Sequence, residues 1–221
     1  MKEIQKGLIT DFDNILVKTS DFVARHIFHT CDKLKIERPD RETVVDILVR
    51  RNLPFDKIFT ELFGEQGPKI LESYREDALE TPYEATEGTV SLVGTLYKNG
   101  DRIVIVSNRT NKLQERLVQA SYNPKWFLAI IQPEVPKPDK EAYTGAIKLL
   151  HGQGVDRQYI YIIGDSIDDL EACPNRLVDN FYALTRDPKL IEMFERAGVK
   201  RTNIVDSFQS LPFLTIGNGR N

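Results

Sequence analysis

Cysteine is almost missing from this chain: Cys31 and Cys173 are the only two among 221 residues. A lone pair so far apart makes neither a disulfide framework nor a metal-binding spacing, so both are expected as reduced thiols in a cytoplasmic protein. Histidine is equally sparse. His26 and His29 fall on one helical stretch and His151 elsewhere, which suits packing or surface roles and gives no histidine metal centre. No long hydrophobic run exists. The longest, IVIV and FLAII, are strand-sized and exclude a bilayer span. The opening MKEIQKGLITDFD lacks the apolar core of a signal peptide. Positive charge is in deficit, with 30 Lys+Arg against 33 Asp+Glu, a net charge of −3 and a pI near 5.7. That balance argues against a nucleic-acid partner, which needs a basic face. No block of like charge forms a tail, and no internal repeat occurs.

What is present is an ordinary globular mixture, 41% hydrophobic and 29% charged, sufficient for a sizeable core. Short apolar segments at Gly7–Thr10, Arg102–Val106, Phe127–Ile131, Tyr159–Ile163 and Phe181–Leu184 read as buried strands. Helical patterns separate most of them: Thr89–Lys98, closed by Asn99-Gly100; Asn111–Ala120, with Leu113, Leu117 and Val118 on one face; and Lys140–Leu150, with Asp139 as its N-cap. Strand–helix alternation predicts an α/β fold, a Rossmann-like doubly wound parallel sheet. One stretch breaks the alternation. Residues 19–82 show only helical periodicity, clearest in Phe55, Ile58, Phe59, Leu62 and Phe63, with Pro54 at the start and Gly64 at the end. The predicted organisation is therefore a core of 1–18 and 83–221 with an inserted all-helical cap at 19–82.

In such a sheet, ligands bind beyond the carboxyl ends of the strands. Reading those ends in turn yields Asp11 and Asp13, then Ser107 and Asn108, then Lys137, then Asp165 with Asp168 and Asp169. Two carboxylates, a hydroxyl, an ammonium and an acidic cluster suit phosphoryl transfer. An anionic nucleophile is repelled by a phosphate ester, and Mg²⁺ held by hard oxygen ligands removes that repulsion. Asp11 is the candidate nucleophile and Asp13 the acid/base. Ser107 and Lys137 are placed to neutralise the transferring phosphoryl group. Asp11, Asp13, Asp165 and Asp169 are the candidate metal site. Asp165 and Asp169 share a helix face, which lets Asp169 pair with Lys137 or a metal-bound water.

These motifs resemble the four signatures of the haloacid dehalogenase superfamily of phosphohydrolases. LITDFDNILV looks like its first motif, IVIVSN its second, EVPKPDKEAY its lysine motif and YIIGDSIDDLEA its acidic fourth. The segments ILVRRNLPFDKIFTELFG and YREDALETPYEATEG look like the phosphoglycolate-phosphatase-like subgroup with a small helical cap. The resemblance implies a Mg²⁺-dependent phosphatase acting on a small phosphate ester; the charge balance and short apolar runs speak against nucleic-acid and membrane partners, and a monomer or homodimer is expected. It makes Asp11 the nucleophile, Asp13 the acid/base and a backbone-carbonyl metal ligand, and Asp165 a carboxylate ligand. Dehalogenases of the superfamily lack the second aspartate of the first motif, so Asp13 favours a phosphatase. In that subgroup a cap loop helps select substrate; here it holds Arg50, Arg51 and Asn52, and the two arginines join Ser107, Asn108 and Lys137 as candidate substrate contacts.

The chain departs from the pattern in three places. Asn14-Ile15 replaces the usual Gly-Thr, Asn52 replaces a cap-loop glycine, and CPNRLVDN follows Ala172. A phosphomutase with the same nucleophile is the nearest alternative, and a catalytically idle binding protein on the same fold is a second. A signalling receiver domain uses similar residues, but its lysine comes last, whereas here Lys137 precedes the GDSIDD cluster.

Overall fold

The computed structural model describes residues 4–51, 53–78, 81–110 and 112–214. Among them are six strands: β1 (Gly7–Thr10), β2 (Arg102–Val106), β3 (Ala129–Ile131), β4 (Ile160–Gly164), β5 (Phe181–Leu184) and β6 (Ile204–Val205). The α-helices are α1 (Thr19–Leu34), α2 (Arg41–Val45), α3 (Phe55–Phe63), α4 (Gly67–Ala78), α5 (Thr89–Lys98), α6 (Leu113–Gln119), α7 (Thr144–Gly152), α8 (Ile167–Ala172) and α9 (Pro188–Arg196). No helix among the described residues is long and apolar enough to cross a membrane.

The chain separates into two compact units, 1–17 with 85–221 and 18–84. The first holds a sheet in the order β3-β2-β1-β4-β5-β6. Every pairing is parallel, with Gly7 opposite both Arg102 and Ile160. The chain leaves β1 in the middle and builds outward on both sides, so the order reverses there. The crevice at such a reversal is where ligands bind. Ile9, Val104, Ile105, Ile162 and Ile163 are fully buried, which is why the strands read as continuous apolar runs. Each such side chain contributes about 2 kcal/mol of burial free energy.

Four of the five expected strands lie within a residue of their expected bounds. The third is shorter, because a 3₁₀ turn at Pro124–Trp126 delays pairing until Ala129. β6 has only two residues, too few to carry a period. α7 begins at Thr144 rather than Lys140. Asp139 spends its carboxylate on the amide of Glu141 at 2.8 Å, and turn bonds from Ala142 N to Asp139 O and from Thr144 N to Glu141 O fill the gap.

The linkers to the helical insert are tied down inside the first unit. Thr86 N donates to Leu16 O at 2.9 Å, and the buried Tyr122 hydroxyl donates to the same carbonyl at 2.8 Å while also bonding Thr89. The second unit packs α3 on α4 through aromatic rings, with Phe59 and Phe55 centred 5.1 and 5.5 Å from Tyr74. In α1, His26 stacks on Phe22 at 4.1 Å and is bonded to Phe22 O and the Thr81 hydroxyl, so it packs rather than ligates. The segment Asp46–Arg50 winds as a π-helix.

Candidate active site

The first loop after β1 carries Asp11, Phe12 and Asp13. Phe12 is fully buried and anchors the loop, with the buried Asp11 before it and the half-buried Asp13 after it. Asn14 takes the left-handed conformation, φ 56°, that asparagine tolerates better than most residues. The usual glycine is therefore not needed for the turn.

Lys137 links the site together. Its Nζ lies 2.9 Å from Asp11 Oδ1 and 2.7 Å from Asp169 Oδ1, and donates to Val106 O at 3.2 Å. Its backbone is clamped by the Asn108 side chain, which donates to Lys137 O and accepts from Lys137 N, both at 2.9 Å. Asn108 thus positions the lysine. Burial opposes the charge of Lys137, but Asp11 and Asp169 outweigh it and raise its pKa.

Asp169 is completely buried and fully engaged. Oδ1 accepts from Lys137 Nζ and the Tyr143 hydroxyl; Oδ2 accepts from Asp165 N, Ser166 N and Ser166 Oγ. Five donors use up a carboxylate's roughly four acceptor sites. Burial disfavours its charge, but Lys137, Ser166 and Tyr143 prevail and lower its pKa. Ser166 and Asp169 also form the reciprocal capping box of α8, so one aspartate starts the helix and holds the lysine. Gly164 makes this possible: a Cβ there would lie 2.3 Å from Asp169 Cβ.

Asp11 and Asp165 are in the opposite condition. Burial pushes the Asp11 carboxyl up to about 7, with Lys137 pulling against the shift and Asp169 and Asp13 adding to it. Burial, then Asp169 and Asp11, push Asp165 well above the carboxylate range. Asp11 Oδ1 meets Lys137 Nζ at 2.9 Å as an ion pair but has no well-aligned hydrogen-bond donor. Oxygens of Asp11, Asp165 and Asp169 lie within 4.8 Å of one another. A buried carboxylate oxygen short of donors, in an all-oxygen cluster where the Asp11 and Asp165 carboxyl pKa values are raised, fits a hard divalent cation, whose charge would favour the ionised forms.

Asp13 is held by Arg109, which sequence reasoning missed. The guanidinium grips both carboxylate oxygens, Nη2 to Oδ1 at 2.7 Å and Nε to Oδ2 at 3.1 Å, and lies 5.8 Å over the Phe12 ring. Its backbone N–H donates to the buried Ser107 hydroxyl at 3.2 Å, linking the second motif to the first. Its only sequence signal is adjacency to Ser107-Asn108. Tyr143 and Ser166 were missed too; nothing local marks Tyr143, whereas the Ser166-x-x-Asp169 spacing is that of a capping box.

Arg50 and Arg51 lie in the helical unit. Arg50 pairs with Glu42 at 2.6 Å and Asp46 at 3.6 Å, and Arg51 with Glu61 at 2.8 Å. Asn52 lies outside the described residues.

The family profile described as haloacid dehalogenase-like hydrolase matches residues 8–182, most of the chain. The chain belongs to this family. The span takes in all four strand ends that supply this hydrolase's site. No curated protein matches in sequence. Solved structures are similar in fold at low identity. A Thermotoga maritima protein described as a beta-phosphoglucomutase has TM-score 0.71 and 16% identity, over 95% of this chain and 98% of that one. CbbY from Rhodobacter sphaeroides, solved as a variant with xylulose-(1,5)bisphosphate, has TM-score 0.66 and 18% identity, over 95% and 97%. A Clostridium acetobutylicum protein described as a phosphatase has TM-score 0.62 and 15% identity, over 93% and 95%.

Proposed function

We propose that this hydrolase cleaves a small phosphomonoester with Mg²⁺, through an aspartyl-phosphate on Asp11. The observation that carries the reading is Asp11 itself: nearly buried, paired with the buried Lys137 ammonium at 2.9 Å, and with no well-aligned donor on that oxygen. A buried carboxylate short of well-aligned donors is costly to keep, and a reactive role explains its retention.

Asp11 and Asp165 are assigned as carboxylate ligands, with the Asp13 carbonyl between them in the set. Asp169 is assigned to holding Lys137, because its oxygens are already spent. Mg²⁺ bound there would neutralise the phosphate and the nucleophile together. Asp11 attacks phosphorus as the ester oxygen leaves, forming the acyl phosphate. Lys137 and Ser107 stabilise the equatorial oxygens. Asp13 gives a proton to the leaving oxygen, then takes one from the water that releases phosphate. To reach either, Asp13 exchanges part of its grip on Arg109. Arg109 aims Asp13, so Arg109→Gln is expected to lower kcat about tenfold with a smaller change in KM, read from steady-state kinetics.

The test is phosphate release from p-nitrophenyl phosphate, phosphoglycolate and small sugar phosphates, with Mg²⁺ and with EDTA. Mg²⁺-dependent release from at least one ester is expected. Sugar-phosphate isomerisation without net release would mark a phosphomutase instead, and silence on every ester would favour the idle binding protein.

A further inference from the structure

We propose that Asn14 selects Mg²⁺ over Ca²⁺ by holding Asp165 to one free oxygen. The inference rests on the metal reading above and deepens it. Asn14 stands where the family pattern has glycine, and its left-handed φ of 56° puts the side chain above the turn after β1. From there Asn14 Nδ2 donates to Asp165 Oδ2 at 2.8 Å, across 151 positions of sequence. The bond joins the first motif to the fourth, between the two carboxylates assigned to the metal.

The consequence follows from how the two cations bind carboxylates. Mg²⁺ demands a near-octahedral shell at about 2.0–2.1 Å and takes carboxylates one oxygen at a time. Ca²⁺ takes six to eight oxygens at about 2.3–2.6 Å and readily chelates both oxygens of one carboxylate. With Oδ2 bonded to the Asn14 amide, chelation by Asp165 must share that oxygen or break the bond, while Oδ1 stays available to a one-oxygen ligand. The same bond fixes the rotamer of a nearly buried side chain, so little freedom is lost when the cation arrives. A glycine at this position supplies neither effect.

The probes are Mg²⁺ and Ca²⁺ themselves, titrated by calorimetry into the metal-free full chain. Wild type is compared with Asn14→Gly, which keeps the left-handed turn, and with Asn14→Ala, which removes the donor and adds no charge. Thermal melts report folding, and if Asn14→Gly melts early, Asn14→Ala decides. In both variants Ca²⁺ is expected to gain about tenfold relative to Mg²⁺. For Asn14→Gly the shift should come mainly from weaker Mg²⁺ binding. An unchanged Mg²⁺/Ca²⁺ ratio, including loss of both affinities by one factor, overturns the proposal for Asn14 and leaves the Mg²⁺ reading standing. A wild type that binds neither cation overturns both.

Discussion

Asp11→Asn is expected to lower phosphate release by about 10⁴-fold or more while leaving the fold intact. The amide has nearly the carboxylate's shape but cannot form an acyl phosphate, so the loss should fall on kcat. Fold stability should move the other way in metal-free buffer. The Asp11 carboxyl sits at about 7, above its ordinary value of 3.8, chiefly because burial penalises its charge. The folded state therefore favours the protonated form. That contribution is complete below about pH 4, shrinks as pH rises, and is gone above about pH 7. Asparagine carries no such penalty. The melting temperature of Asp11→Asn in EDTA should therefore gain on wild type between pH 5 and pH 7.5. Full Mg²⁺-dependent activity in Asp11→Asn would refute the nucleophile assignment.

Lys137→Met should cost both activity and stability. The ammonium faces Asp11 at 2.9 Å and the fully buried Asp169 at 2.7 Å. Removing one member of a buried ion cluster costs about 3–5 kcal/mol, because the remaining charges stay buried without a partner. For a chain of this size that is a fall of roughly 10 °C in Tm. Activity should fall about 10³-fold, the scale of losing one preorganised charge donor to the reacting oxygens. Adding Asp169→Asn should return much of the lost stability and none of the activity, since it removes the stranded charge but not the need for a cation. Lys137→Arg should rescue little, because a planar fork cannot reproduce one compact ammonium between two carboxylates and a carbonyl. A Lys137→Met chain that melts with wild type would refute the ion-cluster account.

Much of the site was legible because its residues follow strands. Gly7–Thr10, Arg102–Val106 and Phe181–Leu184 are runs that only a doubly covered sheet buries, and their ends locate Asp11 and Ser107 without any contact being known. The pairing of Asp169 with Lys137 is expected from a helix face shared with Asp165, but α8 starts at Ile167 and Asp165 lies before its Ser166 cap, so Asp169 reaches Lys137 from the first turn alone. Other features were not legible. Arg109 has no periodic or capping signal, and its role comes from a carboxylate 96 positions away. In sequence Arg50 and Arg51 are candidate substrate contacts in a cap loop, yet Arg50 ends a π-helix and Glu42 and Glu61 meet the two side chains within the helical unit. The helix expected from Lys140 starts later because side-chain and backbone turn bonds compete for the same amides.

The sequence by itself determined the alternation of strands and helices, the interruption by a helical insert, and the set of groups delivered to one sheet edge. These depend on local period and on which residue follows each strand, and both are written in consecutive positions. Only the tertiary structure decided how those groups divide the work. Asp169 is satisfied by five donors, Asp11 has its ion pair with Lys137 but no well-aligned donor, Asp13 is gripped by Arg109, and Asp165 is tied by Asn14. Four aspartates of identical chemistry acquire different roles because burial and hydrogen-bond partners differ at each, and those depend on residues brought close only when the sheet closes its order around β1.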